Sequence, residues 1–172
     1  MRRFLWSLNE ESGGIGWGAP EALAEIMANS PPLADEYLHM LISYLLEDGP
    51  EEHQEGNFLE LPMLQRGLLW GIGRIAATQR ERLLAAEVPE TLGKYLVSED
   101  SVVRGLAVWA LCQLGSAAHR AAVSRLASEP AVVEIFTAAG MQHLSLSRLA
   151  GQYLQMAAGQ QCTAVAGCLE KN

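Results

Sequence analysis

The segment with the most unusual capacity for chemistry is Glu10-Glu11-Ser12-Gly13-Gly14-Ile15-Gly16-Trp17-Gly18-Ala19-Pro20, with four glycines in six residues ahead of an expected helix start. Free N–H groups at a helix N-terminus attract anions, and glycine allows a ligand close to the backbone. The flanks do not complete a phosphate site: no strand precedes the glycines, no Lys-Ser/Thr pair follows, and Glu10 and Glu11 add negative charge. The segment reads first as a tight linker that folds a first helix back, with Trp17 as a packing staple. Its alternative role is a protein or ligand contact through Trp17 and Glu11.

Other candidates are dispersed. Trp70 and Trp109 share a register in two similar segments, so they are expected on equivalent helix faces, either as core or as the aromatic lining of a groove. Arg66, Arg74 and Arg104 either form a basic strip on that surface or pair with acids between layers. Asn57 and Phe58 lie in a polar, acidic stretch, where an aromatic serves as a binding tip or tucks back against helices. His39, His53, His119 and His143 occur in no HxxxH or HExxH pattern, and Cys162 and Cys168, with five residues between them, lack zinc spacing. No serine sits in a GxSxG elbow and no acid–base pair stands out. The expectation is therefore no metal, no cofactor and no catalytic set.

These residues are positioned by helices. Hydrophobic spacing and breakers predict helices over 2–10, from Pro20 to about 29, and over 33–47, where Leu38, Leu41, Ile42, Leu45 and Leu46 form one stripe. An acidic loop over 48–61 follows. Further helices are expected over 62–78, 80–86, 89–97, 101–115 (Ser101 or Asp100 as N-cap, Gly115 as terminator), 116–127 and 146–158. The β-branched run from Val132 and the alternation over 141–146, joined at Ala139-Gly140, read as a small β-hairpin; one continuing helix is the alternative. Residues 159–172 read as a weak helix or frayed tail.

The chain also repeats. Residues 96–104 (LVSEDSVVR) match 126–134 (LASEPAVVE) at Leu, Ser, Glu and Val-Val, and 66–75 (RGLLWGIGRI) match 105–114 (GLAVWALCQL). Offsets of 30 and 39 with helical hydrophobic spacing indicate stacked helical hairpins. The stretch Asp100-Ser-Val-Val-Arg-Gly-Leu-Ala-Val-Trp-Ala-Leu-Cys-Gln-Leu-Gly115 resembles a HEAT-like repeat of the kind noted in phycobilisome lyases, with its Asp, Val-Arg, Ala-Leu and Leu-Gly landmarks. The resemblance covers about half the chain and is clearest over 62–130. It implies an armadillo-type, all-α fold, a right-handed α-α superhelix of helical hairpins across one domain, 1–172, here with a small C-terminal β-hairpin. It also implies that Asp100 and Arg104 order the inter-helix turn and link neighbouring repeats.

Composition bounds the function. At 172 residues the chain is long enough to bury roughly 70% of its unfolded surface without disulfide or metal. Three cysteines, an odd number, and no signal-peptide core indicate a cytoplasmic protein. Residues 1–62 hold twelve acids against Arg2 and Arg3, a net of −10, whereas 63–172 carry a net of +2. That balance argues against nucleic acid and fits either a solubilising face or a basic partner. The expectation is a non-enzymatic protein-interaction scaffold. The alternative, from the resemblance alone, is a lyase or chaperone-like factor acting on a tetrapyrrole-bearing protein.

Overall fold

A computed structural model describes residues 1–8, 16–47 and 57–159. They form a mostly helical chain with one two-stranded antiparallel sheet. The helices are α1 (Arg2–Leu8), α2 (Ala19–Asn29), α3 (Pro31–Ser43), α4 (Pro62–Ala85), α5 (Val88–Thr91), a 3-10 helix (Leu92–Val97), α6 (Ser101–Leu114), α7 (Arg120–Arg125) and α8 (Leu146–Ala157). The strands β1 (Val132–Thr137) and β2 (Gly140–Ser145) lie between α7 and α8.

Helices α2, α4 and α6 make a parallel row, since their contacts ascend both partners together. From α2 to α4, the Glu21 carboxylate lies over Gly67, Ala24 meets Gly71, and Glu25 pairs with Arg74. From α4 to α6, Arg66 pairs with Asp100, the Trp109 ring covers Gly73, and Arg80 donates to the Leu114 carbonyl at 2.8 Å. The glycines of α4 explain how close the row packs. A Cβ on Gly67 or Gly71 would run into α2, and one on Gly73 into the Trp109 ring. Helix propensity is sacrificed here, about 1 kcal/mol per glycine relative to alanine, for close approach. Leu68, Leu69, Ile72, Ile75, Val103, Ala107 and Leu111 complete a continuous buried core.

Local chemistry sets the boundaries. Pro20, Pro31, Pro62 and Pro89 all stand in first turns, where the missing N–H costs nothing. Asp100 caps α6 by accepting from the N–H groups of Val102 (2.8 Å) and Val103 (3.1 Å), and Gly115 ends it at φ 59°. A non-helical Gln79 (φ −127°, ψ 25°) divides α4 where the sequence predicts two helices.

Several bounds differ from expectation. The third helix starts at Pro31 and ends at Ser43, after which the Leu45 N–H turns back to the Ile42 carbonyl. Leu45 is still buried, but Leu46 is 47% exposed and leaves the stripe. Residues 89–97 divide into α5 and the 3-10 helix. The seventh helix begins only at Arg120, because the Ser116 hydroxyl accepts from the Ala118 N–H and His119 takes a left-handed φ of 64°. The Glu11 and acidic-loop readings up to residue 56, and those of residues 160–172, lie outside the described residues.

The hairpin pairs Val132 with Ser145 through Thr137 with Gly140, and Gly140 (φ 94°) follows Ala138-Ala139 at its turn. Its faces alternate: Val133, Ile135 and Leu144 are buried, while Val132, Glu134 and Phe136 point outward. Val133 seats against Gly105 of α6, where a Cβ would collide with it. Ser145 then caps α8, accepting from the Arg148 N–H at 3.2 Å.

Candidate functional site

The outward face of β1 does not stand alone in solvent. With α2, α4 and α6 it walls a cleft of about 630 Å³. Glu21 of α2, Met63, Arg66, Gly67 and Trp70 of α4, and Val102 and Leu106 of α6 form one side. Val132, Glu134 and Phe136 of β1 and Met141 of β2 form the other. The apolar groups at its mouth are open to solvent: Met63 is 44% exposed, Met141 52%, and Val132 and Phe136 58% each.

Each wall is held by a polar contact. The Trp70 indole N–H donates to the Phe136 carbonyl at 2.9 Å, fastening the strand to α4 and occupying an edge acceptor. Arg66 donates twice to Asp100 Oδ2, from Nε at 3.1 Å and from Nη2 at 2.5 Å. Asp100 thus links two helices while capping one. Burial pushes its carboxyl up, but the Arg66 hydrogen bonds and the two backbone N–H groups outweigh this and hold it below the ordinary carboxylate range. Because the folded value is depressed, the stabilisation is present at and above the ordinary value near 3.8 and is lost as pH falls through the lower folded value. The thermal stability difference between wild type and Asp100→Asn is therefore expected to be constant near neutrality and to close below pH 3.8. A difference unchanged at pH 2 would contradict it.

Glu21 is the one polar side chain that the cleft leaves incomplete. Its carboxylate lies against the backbone of Gly67, in space that any Cβ there would occupy. Its Oε2 is buried and has no hydrogen-bond partner among the described residues. Glu134, the other lining acid, faces His143 across the hairpin at 3.3 Å.

The residues singled out from sequence fall in several places. Arg66 and Trp70 line the cleft. Trp109 does not: it shares Trp70's register but packs on Gly73 between α4 and α6. The arginines make no free basic strip. Arg74 pairs with Glu25 at 2.7 Å, and Arg104 pairs with Glu129 while donating to the Ser98 and Glu99 carbonyls. Arg74 draws the Glu25 carboxyl below its ordinary value through that hydrogen bond. Asn57 donates to the Ser43 hydroxyl at 3.0 Å, and Phe58 lies half-buried beneath the Lys94 ammonium, 4.2 Å from its ring centroid; neither lines the cleft. Trp17 is not a buried staple: it is 64% exposed at the entry to α2. Glu21, Met63, Phe136 and Met141 also line the cleft and do not stand out in the sequence. The outward positions of the hairpin alternation were the available signal for Phe136, and nothing marked Glu21 apart from other first-turn glutamates.

Among the described residues no group of three His, Cys, Asp or Glu side chains could hold a metal ion, and no helix is long and apolar enough to cross a membrane. No family model, curated protein or solved structure matches the chain.

Proposed function

We propose that this chain is a HEAT-like repeat module, its α2–α4–α6 row forming the inner layer of a short α-α superhelix, and that it binds a segment of a protein partner in the cleft between that row and the β-hairpin. The carrying observation is the convergence of Met63, Val132, Phe136 and Met141, all substantially exposed, on one preformed concavity beside Trp70. Clustered exposed apolar groups with a polar rim mark interaction sites, and aromatic and Met side chains are common anchors there. The Asp100 and Arg104 contacts between layers support the repeat reading. A cytoplasmic, non-catalytic scaffold without nucleic-acid affinity fits the acidic balance and the dispersed polar residues.

The test is site-specific photo-crosslinking in host cells, with a benzophenone amino acid at position 136 or, as control, at Val97, which is 75% exposed and outside the cleft. A partner captured from position 136 alone, then purified, is expected to bind wild type and to lose at least about tenfold in affinity for a Met63→Ser/Phe136→Ser variant. Equal capture at both positions, or a monomer with no cross-link, would overturn the reading.

A further inference from the structure

Glu21 is placed as if to receive a cation that this chain does not supply. One carboxylate oxygen is buried and unpartnered among the described residues. A buried polar group without a partner carries a desolvation penalty, greater for a charge. The neighbouring cations of α4 are engaged elsewhere. Arg66 is held by two hydrogen bonds to Asp100, and Arg74 by two to Glu25. Gly67 keeps the space in which the carboxylate rests. With Arg66 offset by Asp100 and Glu134 facing His143, Glu21 is the lining charge left without a partner among the described residues, and the aromatic groups Trp70 and Phe136 line the cleft beside it. An aromatic wall beside a carboxylate favours a guanidinium or ammonium, through cation–π attraction and a charge-assisted hydrogen bond.

We propose that the partner segment is basic and apolar: an Arg or Lys side chain pairs with the Glu21 carboxylate while flanking apolar residues cover Met63, Phe136 and Met141. This rests on the cleft being the protein-binding surface. The charge of the site, and not only its apolar area, then selects the occupant.

The experiment is selection of random 12-residue peptides, about the length of an extended segment that could cross the cleft, displayed on phage against the 172-residue wild-type chain, Glu21→Gln and the Met63→Ser/Phe136→Ser variant. Glu21→Gln is isosteric, and its fold is checked by circular dichroism. Wild type is expected to enrich peptides carrying Arg or Lys between apolar residues. Synthetic copies should weaken about tenfold or more on Glu21→Gln and bind less tightly as salt rises. Gly67→Ala, which displaces the carboxylate, should reproduce that loss. Peptides that bind the cleft without basic enrichment, or indifferently to Glu21→Gln, would overturn this proposal and leave the cleft reading intact. Enrichment insensitive to Met63→Ser/Phe136→Ser, or none at all, would overturn both. So would sedimentation showing that the cleft is filled by a second copy.

Discussion

Replacing Asp100 with alanine is expected to lower stability by about 2 kcal/mol. One carboxylate serves two structures: it accepts from the Val102 and Val103 N–H groups and from Arg66. Loss of an Asp cap costs about 1 kcal/mol. The Arg66 pair adds roughly 0.5–1 kcal/mol, limited by Arg66 being more than a third exposed. For a chain of this size the sum corresponds to a fall of about 4–8 °C in Tm. Asp100→Asn should fall between the two, because asparagine caps helices but cannot form the ion pair. Thermal unfolding followed by circular dichroism checks this. Equal loss from the Asn and Ala variants would mean that the ion pair, and not the cap, carries the effect.

Valine at Gly73 is expected to cost about 2–3 kcal/mol, since overpacking a filled interface forces side chains and backbone apart. The Trp109 ring occupies the space of the new Cβ, so α4 and α6 must separate or the ring must leave. Removing the ring relieves the clash. In the double variant Gly73→Val/Trp109→Ala, the two losses should therefore sum to at least about 1 kcal/mol more than is observed. Urea titrations of the four proteins supply the cycle. Strict additivity would show that the ring does not bear on Gly73.

These two sites show what the sequence made legible. Asp100 ahead of Ser-Val-Val and Gly115 after Leu114 mark the ends of α6 through local hydrogen bonding, and the structure has both. The alternation around Val133 and Ile135 likewise marks a strand whose one face is buried. The glycines of α4 are different. Their purpose lies in residues far along the chain, Glu21, Ala24 and Trp109, and no local pattern reports it. Trp70 and Trp109 show the limit of a repeat register: equal spacing places them on similar helices, but the hairpin meets one and α4 meets the other. The cleft was hidden for the same reason. Its walls come from residues 21, 63–70, 102–106 and 132–141, which only the stacking brings together.

Hydrogen–deuterium exchange of the chain with and without a cleft-selected peptide bears most directly on whether the cleft receives a partner segment. Slowed exchange is expected in the segments 63–70 and 132–141, and Met63→Ser/Phe136→Ser is expected to abolish it. Protection confined to the Phe58–Lys94 face or to the α1–Trp17 region, with those segments unchanged, would contradict it.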